Sequence, residues 1–199
     1  MLAVSGLENS VLKPVGFAVP AGTCVAVRGP SGSGKSVLLR AIADLDPNRG
    51  EVRLGDRARS AMPAPEWRRR VTYVAAESGW WADGVGAHFA DPARAAPLME
   101  ALGLPRDAMD WPVARLSTGE RQRLALVRAL VQGPDVLLLD EPSGALDADA
   151  TARLEAQLRR EMARGAAILL ATHDPAQADR LATRTLWVEK GVVREAPCP

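Results

Sequence analysis

The residues best suited to chemistry lie in two short stretches that are far apart in the chain. The first is GPSGSGKS, Gly29 to Ser36, where glycines, hydroxyls and a lysine follow an apolar strand pattern. The second is VLLLDEP, Val136 to Pro142, where an apolar run ends in two acids. Glycines with one cation suit an anion, whereas adjacent acids suit a metal ion or a proton transfer. Together the two stretches predict a site for a phosphate-bearing ligand.

The glycine-rich stretch matches the phosphate-binding loop pattern of Gly, four residues, Gly, Lys and Ser. Its glycines let the backbone curl so that amide hydrogens point inward, and the next helix presents the positive end of its dipole. We expect Lys35 to reach the β- and γ-phosphates and the Ser36 hydroxyl to ligate Mg²⁺. The predicted nucleotide contacts are Gly29, Pro30, Ser31, Gly32, Ser33, Gly34, Lys35, Ser36 and Val37.

The acid pair predicts a metal ligand beside a general base. Asp140 stands at the carboxyl end of an apolar strand, where open α/β sheets bind ligands, and is expected to hold Mg²⁺ directly or through water. Glu141 points elsewhere and can take the proton of an attacking water. Two helix-capping acids are the alternative interpretation. His173 follows another apolar strand and is expected to bond the γ-phosphate or position the water; a structural histidine is the alternative.

Alternating helix and strand patterns predict the elements that position these residues. Strand TCVAVRG is followed by a helix over 35–43, and helices are expected from Ser117 to about Val131 and over 148–164. Such alternation predicts an α/β protein with a mostly parallel central sheet, covered on both faces. Short strands near the start suggest a small antiparallel β subdomain. A short α-helical subdomain is expected at approximately 77–132.

Composition limits the classes of function. The 199 residues are 47% hydrophobic and 25% charged, enough for one substantial core. A net charge of +1 gives no general pull toward nucleic acid, and Arg68 to Arg70 is interpreted as a solvated helix end. Cys24 and Cys198 are too few for a disulfide framework, which fits a reducing cytosol. No leader or bilayer-spanning run is expected, so any membrane role must come through a partner.

Five motifs in order resemble the ATP-binding subunits of ABC transporters, and the resemblance spans nearly the whole chain. They are the phosphate loop, LSTGE, VLLLDEP, SGALD and ATHD. The resemblance implies the P-loop NTPase fold, a single ATP-binding domain over 1–199, and ATP and Mg²⁺ as cofactors. It also implies an ATPase that works with a separate transmembrane permease at the cytoplasmic face of the inner membrane.

The resemblance gives LSTGE the role of the signature motif, a second anion site that faces another molecule. The Ser117 hydroxyl, the Gly119 backbone and the start of the next helix would cover an ATP held by a second copy. Two copies would therefore pack head to tail as a homodimer. The residues implied at this seam are Ser117, Thr118, Gly119, Glu120 and Asp147.

Several positions depart from the family pattern. Ala76 stands where a glutamine usually contacts Mg²⁺ and the water; substitution by Glu77 and a water-filled gap both stay open. SGLENS offers no aromatic ring for the adenine, which predicts low affinity or selectivity for the base. Val37 replaces a hydroxyl that touches the α-phosphate, a loss of about 1 kcal/mol. Thr118 replaces the first signature glycine.

Adjacent tryptophans follow the altered loop. Trp80 and Trp81 are difficult to bury on one side of a strand, so one is expected to face outward. One hypothesis places Trp81 with Val85 and Phe89 in a docking groove for a permease helix. The other places the tryptophans in a local core of the helical subdomain.

The leading functional hypothesis is an ATPase subunit that dimerises on ATP and drives a permease. The compact length and PEWRRRVTYVA look most similar to small bacterial metal or iron export subunits; haem-export and lipoprotein-release types compete. A soluble non-transport ABC ATPase acting on nucleic acid or ribosomes is the alternative class. Such proteins usually fuse two halves or insert a coiled coil, and neither is found here. A degenerate regulatory subunit is disfavoured by intact Lys35, Asp140, Glu141 and His173.

Overall fold

The computed structural model describes residues 1–196 and confirms the α/β class. Cys198 lies outside the described residues. The strands are β1 (Leu2–Glu8), β2 (Val15–Val19), β3 (Cys24–Arg28), β4 (Arg49–Leu54), β5 (Arg57–Ala58), β6 (Val71–Val74), β7 (Val136–Asp140), β8 (Ala167–Ala171), β9 (Arg184–Glu189) and β10 (Val192–Ala196). The α-helices are α1 (Lys35–Ile42), α2 (Ala64–Arg70), α3 (Pro92–Ala101), α4 (Thr118–Val131), α5 (Ala148–Ala163) and α6 (Pro175–Leu181).

The larger sheet has six strands in the order β10-β9-β3-β8-β7-β6. Its pairings are parallel from β9 through β6, and β10 is antiparallel to β9. Strands β7 and β8 are completely buried, as expected for apolar runs covered on both faces. Asp140 lies opposite Ala171, so β7 and β8 end at the same edge of the sheet.

The smaller sheet is antiparallel, in the order β2-β1-β4-β5, and confirms the predicted β subdomain. Its inner face packs with α1 against the larger sheet in one apolar cluster. A second cluster lies on the other face of the larger sheet and includes side chains of α3, α4 and α5. The phosphate loop therefore starts from a strand that contributes side chains to both clusters.

The region between β6 and α4 contains one α-helix and several short turns. The α-helix is α3, which contains Pro97. Three short 3-10 helices supply the rest, at Val85–His88, Arg106–Asp110 and Val113–Arg115. Proline and glycine are frequent here and interrupt the α-helical ladder, which explains the short turns. Among residues 1–196, no helix combines the length and apolarity needed to cross a bilayer.

Trp67 joins the second helix to the core. Its side chain is completely buried, and its Nε1–H donates to the Ile42 carbonyl at 3.0 Å. Trp67 therefore packs α2 against the end of α1.

We expect Trp67→Ala to lower the free energy of unfolding by about 3–5 kcal/mol, because it leaves a large cavity. The exposed Trp81→Ala variant should lose about 1 kcal/mol or less. Urea titration followed by circular dichroism measures both. Equal losses for the two variants would contradict the packing role of Trp67.

Candidate functional site

The phosphate loop has the backbone that its glycines allow. Gly29 has φ 149°, and a Cβ there would lie 2.0 Å from the Val188 carbonyl oxygen. No other residue type tolerates both constraints. Gly34 has φ 110° and stands immediately before α1. The loop therefore closes tightly against β9 and turns directly into a helix.

The start of α1 is free to receive an anion. Gly34 provides no side-chain cap, and the first turn carries no acid. Lys35 Nζ donates to the carbonyls of Gly29 and Pro30, at 2.9 and 3.0 Å. Ser33 Oγ is buried and has no hydrogen-bond partner among the described residues. An orphaned hydroxyl, unpaired helix amides and a nearby ammonium fit a bound phosphate group.

Asp140 is buried at the end of β7, and its carboxylate is engaged from the neighbouring strand. Tyr73 Oη donates to Asp140 Oδ2 at 2.9 Å. Burial, followed by the nearby Asp140 charge, raises the pKa of Tyr73 well above its usual range. Tyr73 thus stays a donor at neutral pH. Sequence reasoning missed this residue, although a hydroxyl near the end of the preceding strand was the available signal.

The donor chemistry at this edge suits magnesium. The Ser36 hydroxyl and the Asp140 carboxylate are hard oxygen ligands, and Mg²⁺ takes one or two protein ligands together with substrate phosphates and water. Within residues 1–196, no group of three His, Cys, Asp or Glu side chains is placed to hold a metal ion. A small protein donor set is thus compatible with magnesium bound through a nucleotide.

Glu141 and His173 are brought together as the two predicted catalytic residues. His173 Nδ1 and Glu141 Oε2 are 2.7 Å apart. Because a carboxylate only accepts, Nδ1 carries the hydrogen and Nε2 is left for other partners. That His173 bonds the γ-phosphate or positions the water stays a prediction; among the described residues its side chain bonds the proposed base.

Glu141 has a left-handed backbone, with φ 48°. For a residue with a Cβ this conformation costs about 1–3 kcal/mol and must be held by its surroundings. Its N–H donates to the Ala171 carbonyl at 2.9 Å, and its carbonyl accepts from Gln122 Nε2 at 2.6 Å. Gln122 Oε1 also accepts from Ala145 N at 3.3 Å. The buried Gln122, which sequence reasoning missed, therefore ties α4 to the segment that carries Glu141.

The LSTGE segment forms a capping box at the start of α4. Ser117 Oγ accepts from Glu120 N at 3.3 Å, and Glu120 Oε2 accepts from Ser117 N at 2.9 Å and from Ser117 Oγ at 2.7 Å. The bonds from Ser117 lower the pKa of Glu120, so its carboxylate is charged. The predicted anion site thus holds a carboxylate of its own chain.

Gly119 allows close contact between α4 and the SGALD segment. A Cβ there would lie 2.9 Å from the Ala145 carbonyl oxygen. Asp147 caps α5, because its Oδ1 accepts from Ala150 N at 2.7 Å. Its communication across a dimer seam stays a prediction. Thr118, the first residue of α4, is exposed at the same surface.

The departures from the family pattern have clear positions. Ala76 and Glu77 are both exposed in the loop after β6. Val37 packs partly against the apolar cluster around α1. Beside the loop, Val11 Cγ1 lies 3.6 Å from the position of a Cβ on Gly34. An exposed aliphatic side chain therefore borders the phosphate loop on the side of SGLENS.

The tryptophan pair divides between core and surface. Trp80 packs against the second apolar cluster, whereas Trp81 is 70% exposed. Val85 and Phe89 are buried, so the groove proposed from the sequence, with these residues beside Trp81, is wrong. Their apolar side chains pack in the core of the helical region.

Comparisons with known proteins agree with this geometry. The family model described as ABC transporter matches residues 12–144. The aliphatic sulfonates import ATP-binding protein SsuB 2 of Pseudomonas aeruginosa (strain UCBPP-PA14) is 40% identical over 203 residues, covering 94% of this chain and 69% of that protein.

Solved structures share the fold. The structure of an ATP-binding subunit of an ABC transporter has a TM-score of 0.88 and 27% identity, covering 98% of this chain and 89% of that chain. A bacterial ABC transporter cassette solved as a dimer has a TM-score of 0.79 and 25% identity, covering 98% of each chain.

We expect Glu120→Gln to strengthen an ATP-dependent dimer about twofold to fivefold, because one charge at a helix start is worth about 0.3–1 kcal/mol. The dimer dissociation constant is measured by sedimentation in a hydrolysis-blocked background. Glu100→Gln, which removes an exposed carboxylate from α3, is the matched control. A dimer of Glu120→Gln no tighter than that of the control would refute competition at the helix start.

Proposed function

The chain belongs to the ABC transporter family of ATP-binding subunits, and we propose that it powers the import of a small organic anion through a separate permease. It binds and hydrolyses ATP, and subunits of this family dimerise and pair with a transmembrane permease. The proposal adds the roles of the site residues, the bound magnesium ion, the direction of transport and the class of the transported substrate.

Import is favoured by the similarity to the Pseudomonas aeruginosa protein, which is an ATP-binding protein for the import of aliphatic sulfonates. The metal or iron export suggested by the sequence gains no support from that relative. A nucleic-acid function is not favoured either, because the net charge is only +1 and no long coiled coil is inserted in residues 1–196. The substrate class rests on similarity alone, since substrate passes through the permease.

The proposed binding step follows from the free helix start. The amides at the beginning of α1 and the Lys35 ammonium would take the phosphates, and the buried Ser33 hydroxyl would gain the partner that it lacks. Ser36 and Asp140 would hold Mg²⁺. When bound, magnesium neutralises phosphate charge and supports the displacement at the terminal phosphorus.

The proposed hydrolysis step rests on the Glu141–His173 contact of 2.7 Å, which carries the assignment. Glu141 would accept a proton from the attacking water while its backbone stays fixed by Gln122. His173 would orient the carboxylate through Nδ1, and its Nε2 would stay available to the nucleotide or the attacking water. Loss of phosphate then removes the charge that draws a second chain onto the site.

The proposed permease contact centres on Trp81. Its ring lies 4.4 Å from the His88 ring and 4.8 Å from the Arg128 guanidinium carbon. These contacts hold a large apolar surface at an exposed position in the loop that follows β6. Such a surface suits a partner helix.

We expect Glu141→Gln to retain ATP binding within twofold and to reduce turnover at least about 100-fold, because the base is lost while the phosphate contacts remain. Lys35→Ala should lose both binding and turnover. Nucleotide calorimetry and phosphate release measure these quantities. Rapid hydrolysis by Glu141→Gln would show that Glu141 is not the general base. Unchanged nucleotide affinity of Lys35→Ala would contradict phosphate binding by the loop.

We expect Trp81→Ala to lose most of the stimulation of ATPase activity by the reconstituted permease, while basal hydrolysis is unchanged. Trp187→Ala is the matched control, since Trp187 is also an exposed tryptophan, on β9. Permease-stimulated phosphate release in proteoliposomes is the measurement. Full stimulation of Trp81→Ala would exclude Trp81 from the interface.

A further inference from the structure

The Asp140 carboxylate depends on one side chain for its orientation. Among the described residues, Tyr73 is the one whose side chain bonds it, through the 2.9 Å contact with Oδ2. We propose that Tyr73 is a positioning residue that fixes the Asp140 carboxylate for magnesium. This inference rests on the proposed function, because it assigns a role at the same nucleotide site.

Burial makes that single contact important. The Asp140 side chain is 5% exposed, so little solvent is available to orient it. A hydrogen bond to a buried carboxylate fixes its rotamer and is stronger than a neutral one. With Oδ2 engaged by Tyr73, Oδ1 is the oxygen left for a metal ion. Partners that hold ligating side chains in this way commonly control metal affinity.

Tyr73 is itself held in place. Its ring packs partly against the apolar cluster around α1. Its strand pairs with β7, in which Leu138 lies opposite Tyr73. Packing and strand pairing therefore hold the Tyr73 ring beside the end of β7.

The test replaces the hydroxyl and keeps the ring. In the hydrolysis-blocked Glu141→Gln background, Tyr73→Phe should raise the free Mg²⁺ concentration needed for half-maximal enhancement of ATP binding about 10- to 100-fold. ATP affinity without metal should stay within twofold. Calorimetry at fixed Mg²⁺ concentrations gives both quantities without turnover.

Thr72→Val is the matched control on the same strand. The Thr72 hydroxyl donates to the carbonyls of Arg68 and Arg69, at 3.1 and 3.0 Å, and within residues 1–196 it makes no hydrogen bond to Asp140. This variant should keep the wild-type Mg²⁺ dependence. A Tyr73→Phe value within twofold of wild type, or equal to that of Thr72→Val, would overturn the inference.

A double-variant cycle provides a second measurement. If Tyr73 acts through Asp140, adding Tyr73→Phe to Asp140→Asn should cause no further change in the Mg²⁺ dependence. Additive effects of the two substitutions would show a separate role and overturn the inference. If Mg²⁺ does not affect ATP binding by the Glu141→Gln protein with Tyr73 intact, the proposed magnesium site itself is refuted. If Mg²⁺ enhances ATP binding normally and Tyr73→Phe does not change this response, only the positioning role of Tyr73 is refuted.

Discussion

A triphosphate carries more negative charge than one helix start and one lysine can neutralise, and this constraint organises the molecule. The start of α1 and Lys35 can meet part of that charge. The remainder faces away from the loop, where another helix start would gain by covering it. The start of α4 is exposed at Thr118 and is the helix start that the family resemblance assigns to this role. ATP would therefore act as the contact between two chains, and its hydrolysis would weaken that contact.

Gln122, near the same helix start, also bonds the segment that carries Glu141, the proposed base of its own chain. Gln122 bonds the Glu141 carbonyl and the Ala145 amide, and Gly119 permits the close approach of the Ala145 carbonyl. Because Glu141 has a strained left-handed backbone, its position depends on these neighbours. A movement of α4 on docking with a second chain would reach Glu141 through Gln122. The proposed docking surface and the proposed base at the sheet edge are thus linked through Gln122.

Much of the fold was predictable because strand and helix periodicity is strong in the β7–α5–β8 region, where the strands are fully buried. The Glu141–His173 pair was also within reach, since parallel strands end at one edge of a sheet. The Tyr73 and Gln122 contacts were not, because they depend on side-chain direction and on register between distant segments. For Phe89, one of the two sequence hypotheses placed the side chain in a surface groove beside the exposed Trp81. The structure instead buries it in the core of the helical region.

The central claim is that nucleotide joins two copies through the start of α4. The most direct test is sedimentation with Mg²⁺ and ATP, which compares the Glu141→Gln protein with the Glu141→Gln/Thr118→Asp double variant. An aspartate at the first position of a helix favours the helix but repels phosphate. The account predicts a dimer for Glu141→Gln and a monomer with unchanged ATP affinity when Thr118→Asp is added. The control adds Ala93→Asp, in the first turn of α3, to Glu141→Gln and should remain a dimer. A Glu141→Gln protein that stays monomeric with ATP, or a dimer that ignores Thr118→Asp, would contradict the claim.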